Sequence, residues 1–202
     1  MSAMKTLTAN TERSGDELTA PETLQKVVSS LSHDNRRVIM SGTSTLQSMA
    51  TKKESHAAAI VKSGALVPLR ALLESFDVDV KEGAVKAMTA IAAAGENHMQ
   101  ALLDDETLES LVVNLNAGDS PITLRTAIAR FFDVCCAYGV APATRVMDGG
   151  STAGVAQLAR DAASALPTAG ETAASPRARA VAFACLAQMA RHANDLAARV
   201  VE

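Results

Sequence analysis

The fold is decided by residues 63–75, which read SGALVPLRALLES, together with residues 77–95, which follow directly. Gly64 ends the stretch before it in the manner of a helix C-cap. Leu69 and Leu73 then lie four residues apart, on one face of a helix. The segment after them combines small residues with larger apolar ones at helical spacing. This region therefore predicts a short helix, a Leu-rich second helix and a long third helix.

The same kinds of segment recur along the chain at a nearly constant period. The short apolar pairs are Val27 with Leu31, Leu69 with Leu73, Leu111 with Leu115, and Val155 with Leu158. The first large apolar residues of the longer segments are Leu46, Met88, Phe131 and Leu186, spaced by 42, 43 and 55 residues. The last spacing is long because residues 167–175 have the composition of a loop. These longer segments share the frame small-x-x-small-apolar-x-x-apolar. In the third, which reads Ala127, Arg130, Phe131 and Val134 at these positions, Arg130 interrupts the second small position. Two tracks with one period indicate an internal repeat.

Composition favours closely packed helices over sheet. Alanine accounts for 40 of the 202 residues, and aromatic residues make up only 2%. Alanine is the best helix former, whereas strands favour β-branched and aromatic side chains. The formal net charge of −3 lacks the basic excess of most nucleic-acid binders. We therefore expect an all-α protein and consider nucleic acid an unlikely ligand.

Residues 63–95 resemble an armadillo repeat, in which a short helix ending in Gly precedes a Leu-rich helix and a long third helix. The resemblance extends over residues 20–202 as four repeats. It implies a right-handed α-solenoid of about four armadillo-like repeats, whose third helices line an extended concave surface that binds proteins. HEAT-type repeats are a related alternative.

The predicted organisation has a flexible tail at residues 1–20 and a solenoid at residues 21–202. The repeats are placed at about 21–52, 53–95, 96–139 and 140–202, with a loop insertion at 167–175. Lys5 and Arg13 in the N-terminal region leave a transit peptide open as an alternative to a solvated tail. The segment from Asn194 onward resembles the first helix of a further repeat, and its apolar residues suggest docking onto a partner or a second copy.

The resemblance does not extend to the groove residues of importin alpha, which places Trp and Asn four residues apart on its third helices. Those positions are occupied here by Ser44 and Ser48, Lys86 and Ala90, Ala129 and Asp133, and Ala184 and Gln188. Recognition of nuclear localisation signals is therefore not expected. Small Ala-rich arrays also look somewhat like the armadillo proteins of cilia and flagella.

Charge is distributed unevenly over the predicted third helices. Their basic residues are Arg36, Arg37, Lys81, Lys86, Arg125, Arg130, Arg177 and Arg179, against Asp79, Glu82 and Asp133. We therefore predict a groove for an acidic peptide or protein surface, steered by charge. Its residues are predicted to be Lys86, Arg125, Arg130, Asp133 and Gln188. The alternative is that these are solvated helix faces, with charges paired along each helix.

Catalytic and metal-binding patterns are not evident in the sequence. His33, His56, His98 and His192 lack metal-ligand spacing, and each is expected at the surface or in a turn. Cys135, Cys136 and Cys185 are an odd number and do not suggest a disulfide framework, so reduced, buried thiols are expected. We predict no catalytic residue, no metal and no cofactor.

These observations lead to one prediction and two alternatives. The chain is predicted to be a non-enzymatic scaffold for protein binding, acting as an adaptor or structural subunit of a hetero-complex. It is expected in the cytoplasm, in a cytoskeletal or axonemal setting, without a membrane partner. The alternatives are a nucleic-acid-binding helical repeat, which would need a basic stripe with stacking aromatics, and a small helical enzyme or cofactor-binding protein.

Overall fold

The computed structural model describes residues 20–164 and 174–200, and the regular structure in these ranges is helical. The helices are α1 (Pro21–Ser30), α2 (Arg36–Lys52), α3 (Glu54–Lys62), α4 (Leu66–Ala71, continued by a 3₁₀ turn at Leu72–Glu74), α5 (Val78–Ala93), α6 (Glu96–Leu102), α7 (Asp105–Asn116), α8 (Ile122–Cys136), α9 (Val140–Asp148), α10 (Ser151–Ser164) and α11 (Ala174–Val200). The expectation of an all-α fold is confirmed.

The chain divides into two compact units, Met1–Leu102 and Leu103–Glu202. In the first unit, α2 packs mainly against α5, with α1 and α3 also in contact with α2. In the second unit, α11 packs against α8, α9 and α10. The division falls between α6 and α7, inside the third repeat as the sequence delimits it.

Local hydrogen bonds and backbone conformation set several of the helix ends. The side chain of Asn35 accepts a hydrogen bond from the Arg37 amide (2.9 Å) and thereby starts α2. Asp77 does the same for α5, and the Asp104 carboxylate accepts from the Thr107 amide (2.8 Å) at the start of α7. Gly64 follows α3 with φ 78°, a conformation that suits glycine. The side chains of Asn35, Asp77 and Asp104 thereby satisfy amides that have no partner within the helix.

The four long helices α2, α5, α8 and α11 carry the core. Each presents a buried stripe with spacings of four, three and four residues. The stripes are Val38, Gly42, Thr45 and Met49; Val80, Ala84, Ala87 and Ile91; Leu124, Ile128, Phe131 and Cys135; and Ala178, Ala182, Cys185 and Met189, with Val38 only half-buried. Equivalent positions therefore lie 42, 44 and 54 residues apart.

This pattern corrects the frame predicted for the third repeat by one residue. Phe131, not Arg130, occupies the position of Thr45 and Ala87, and it is fully buried. Arg130 is exposed and does not interrupt the core. The sequence favoured the wrong frame because the position that is small in the other long helices is occupied by Ile128, whereas the neighbouring Ala127 meets the requirement for a small residue.

Two histidines lie in the core, contrary to the expected surface positions. His56 is 2% exposed and His192 is 8% exposed. His56 lies one turn before Ile60, and His192 lies three residues after Met189, so both fall on stripes that pack inward. The predicted burial of the three cysteines is confirmed, and all three thiols are free.

The predicted tail, except for Ala20, lies outside the described residues. Residues 167–173 of the predicted insertion also lie outside them. Residues 194–200 continue α11 and are not a separate first helix of another repeat.

Candidate partner-binding surface

Each long helix also presents one exposed or half-exposed row, which we call the outer row. Its positions have spacings of three, four, three and four residues, so they share one side of the helix. The outer rows are Arg37, Met40, Ser44, Gln47 and Thr51 on α2; Asp79, Glu82, Lys86, Thr89 and Ala93 on α5; Thr123, Thr126, Arg130, Asp133 and Ala137 on α8; and Arg177, Ala180, Ala184, Ala187 and Arg191 on α11.

In the first unit, the outer rows of α2 and α5 border a shallow pocket of about 320 Å³. It is lined by Met40 and Gly83 and by six polar or charged residues, Thr43, Ser44, Gln47, Asp79, Glu82 and Lys86. The helices come close at Gly83, where an added Cβ would lie 2.9 Å from the Thr43 hydroxyl oxygen. At the end of this pocket, Arg36 forms ion pairs with Asp77 (2.6 Å) and Asp79.

Two ion pairs lie wholly within the outer rows, and in each the cation is the more exposed partner. Asp79, also on the outer row of α5, pairs instead with Arg36, and their side chains are 58% and 52% exposed. Lys86 pairs with Glu82 (2.5 Å), and their side chains are 51% and 18% exposed. Arg130 pairs with Asp133 (2.9 Å), and their side chains are 58% and 13% exposed. In these two pairs, one in each unit, the carboxylate is the more buried partner and the cation is the more exposed one.

Of the five predicted groove residues, three lie on the outer rows and two do not. Lys86 lies on the outer row of the first unit, and Arg130 and Asp133 lie together on that of α8. Gln188 is half-exposed beside the outer row of α11. Arg125 is only 8% exposed and is absent from the outer row.

Arg125 is instead part of the packing between α8 and α10. Its guanidinium donates to the Asp161 carboxylate (2.7 Å), which also accepts from the Gln157 amide (2.7 Å). The Arg125 hydrogen bond is the main reason that the pKa of Asp161 lies below its ordinary value. Local periodicity could not reveal this role, because Asp161 lies 36 residues further along the chain.

The cysteines are chemically quiet. Burial raises the pKa of Cys136 to about 12, with a smaller contribution from the negative charge of Asp133. Burial also raises the pKa values of Cys135 and Cys185 well above their ordinary range. Within residues 20–164 and 174–200, no His, Cys, Asp and Glu side chains are grouped so as to hold a metal ion.

Among the described helices, none is by itself both long and apolar enough to cross a bilayer. Glu54–Lys62 and Leu66–Glu74 meet the length and composition criteria only as a pair, and that pair is bent by 84°.

Comparison with known proteins gives a consistent result for the fold. No family model and no curated protein matches the chain. The designed armadillo repeat protein YIII(Dq)4CqI superimposes with a TM-score of 0.76 and 20% identity over 93% of this chain and 74% of its own. A related design in complex with the peptide (KR)4 gives a TM-score of 0.79 and 18% identity over 96% of this chain and 80% of its own. Designed armadillo proteins for modular peptide recognition give 0.74 and 21% over 93% and 74%. The chain therefore has the armadillo-repeat fold.

Proposed function

We propose that the chain is a non-enzymatic scaffold that binds a protein partner along the outer rows of its long helices, as an adaptor or structural subunit of a hetero-complex. The armadillo fold supports this proposal, because stacked helical repeats leave an extended surface for binding. Two of the similar designs are described by their peptide complex or by peptide recognition.

The preferred partner has an acidic surface or an acidic peptide segment. The observation that carries this choice is the greater exposure of the cation in the two ion pairs that lie wholly within the outer rows, Lys86 with Glu82 and Arg130 with Asp133. An approaching carboxylate would meet the exposed ammonium or guanidinium group first. Charge complementarity of this kind steers encounter and discriminates among partners.

The outer row of α11 extends the same chemistry. Arg177 and Arg191 lie at its two ends, and the three positions between them are alanines. The sequence from Pro176 to Ala193 contains no carboxylate. Small side chains let a partner's main chain approach closely, while the arginines offer planar donors for carboxylates.

A peptide-binding measurement tests this proposal. Fluorescein-labelled oligoglutamate is titrated with the full chain at low ionic strength, and binding is followed by fluorescence anisotropy. A labelled (Lys-Arg)4 peptide is titrated in the same way. We expect preferential binding of oligoglutamate, at least about tenfold weaker in the Lys86→Glu, Arg130→Glu double variant.

The matched control is Arg145→Glu, which reverses a similarly exposed arginine that pairs with Asp105 away from the outer rows. It should bind oligoglutamate about as well as the unmodified chain. Equal affinity for the acidic and basic peptides, or equal losses in the control and the double variant, would reject the acidic-partner proposal.

The cellular setting is a separate part of the proposal. We propose a cytoplasmic assembly of the cytoskeletal or axonemal kind, and the free, buried thiols are compatible with a reducing compartment. Microscopy of the tagged chain in cells that produce it, followed by detergent extraction, tests this setting. Retention with the insoluble cytoskeleton is expected, and complete extraction or an organellar signal would contradict it.

A further inference from the structure

A second side of each long helix distinguishes α11 from the others. We call this side the forward face. Its positions have spacings of four, three and four residues and begin two residues after the start of the outer row. The forward faces are Ile39, Thr43, Leu46 and Ala50 on α2; Lys81, Val85, Met88 and Ala92 on α5; Arg125, Ala129, Phe132 and Cys136 on α8; and Arg179, Phe183, Leu186 and Ala190 on α11.

The forward faces of α2 and α8 are covered by helices that follow them in the same unit. On α2, Thr43, Leu46 and Ala50 are at most 3% exposed, and Thr43 lies against Gly83 of α5. On α8, the last three residues are fully buried. The covering elements there are α10 and α11.

The forward face of α11 has the same character but is open. Phe183 is 57% exposed, Leu186 is half-buried, and Arg179 and Ala190 are exposed. Phe183 therefore leaves much of its ring in water, although the equivalent residue of α8, Ala129, is fully buried. An exposed aromatic residue on a preformed helix face is a suitable anchor for a protein interface.

The packing on α8 shows what chemistry would cover the face of α11. Arg125, which occupies the position of Arg179, donates to Asp161 of α10 at 2.7 Å. Between α2 and α5, the residue that lies against Thr43 of the forward face is Gly83, so the cover at that point is small. Among the described side chains, Arg179 has no ion-pair partner.

We propose that the forward face of α11 docks a helical hairpin of another protein, which supplies a carboxylate to Arg179 and small apolar side chains around Phe183 and Leu186. A second copy of this chain is disfavoured by charge. Two such faces would bring arginines together without a carboxylate. A head-to-tail second copy would instead present the side of α2 opposite its forward face. That side is polar and carries Arg37, Ser41 and Ser48. The docking face is separate from the outer rows and does not depend on the acidic-partner proposal.

Site-specific photo-crosslinking tests this proposal. The full chain carries benzoylphenylalanine at position 183, or at position 76 as the control, because Phe76 is a fully exposed aromatic residue of the α4–α5 connection. Each form is irradiated in extract from cells that produce the protein. The crosslinked peptides are identified by mass spectrometry, and sedimentation of the purified chain reports self-association.

We expect a crosslink from position 183, absent from position 76, to an amphipathic helical segment of a different protein that contains Asp or Glu. Arg179→Glu should lower its yield at least about tenfold, and reversing the partner's carboxylate to Lys should restore it. Lys86→Glu with Arg130→Glu should leave this crosslink unchanged. Crosslinks only to a second copy, no crosslink from position 183, or a yield insensitive to Arg179→Glu would each overturn the proposal.

Discussion

Helices α8 and α11 follow the same pattern of core, outer row and forward face, yet their forward faces have different surroundings. Phe132 and Cys136 of α8 are fully buried, whereas Phe183 of α11 is 57% exposed. Both faces are mainly apolar and begin with an arginine. The difference shows that burial in this fold is conferred by the neighbouring repeat and not by the helix's own sequence, as expected when each repeat contacts only its neighbours.

The largest expected effect comes from truncating one phenylalanine on each forward face. Phe132→Ala should lower the free energy of unfolding by about 3–5 kcal/mol, because it removes a fully buried ring and leaves a cavity. Phe183→Ala should change the free energy of unfolding by no more than about 0.5 kcal/mol, because much of its ring is already in water. Urea denaturation followed by circular dichroism measures both values. Similar losses in the two variants would remove the distinction between the faces.

A smaller effect is expected at the arginine that begins each face. Asp161→Asn weakens the charge-assisted hydrogen bond of the largely buried Arg125 and should cost about 1–3 kcal/mol of stability. Arg179→Ala, the matched change on α11, should fall within about 0.5 kcal/mol of the unmodified chain. Asp161→Asn should also leave oligoglutamate binding intact. An Arg179→Ala variant as destabilised as Asp161→Asn would mean that the forward face of α11 is already covered.

The Arg125–Asp161 pair also predicts a dependence on pH. Because the pKa of Asp161 is lowered in the folded chain, its contribution is present above the ordinary value of 3.8 and is lost as the pH falls through the folded value. The stability difference between the unmodified chain and Asp161→Asn should therefore be constant above about pH 5 and shrink below about pH 4. Urea midpoints across this range measure it. A difference that grows on acidification would have the wrong sign.

The sequence predicts much of the architecture because the deciding signals are local. The caps at Asn35, Asp77 and Asp104 act within three residues of themselves. The 42-residue spacing between Leu46 and Met88 correctly relates α2 to α5. Such short-range hydrogen bonds and periodicities can be recognised without knowledge of the tertiary structure.

The candidate site is less accessible to sequence analysis because it depends on contacts distant in the chain. Arg125 resembles a groove residue by its positive charge and its place on a long helix, but its ion pair with Asp161 holds it in the core. The frame of α8 also shifts by one residue, since Ala127 fits the requirement for a small residue and Ile128, which occupies that position, does not. His56 could have been placed correctly, because it lies four residues before Ile60 on the buried stripe of α3.

Thiol labelling tests the central claim most directly, which is that α8 and α11 share one register and differ only in cover. Ala190→Cys places a thiol at the α11 position equivalent to Cys136 of α8. In the native chain, the new thiol should react with iodoacetamide at nearly the rate of a free cysteine. The native thiols, which are buried with raised pKa values, should react at least about 100-fold more slowly. Protection of the new thiol comparable to that of Cys136 would contradict the account.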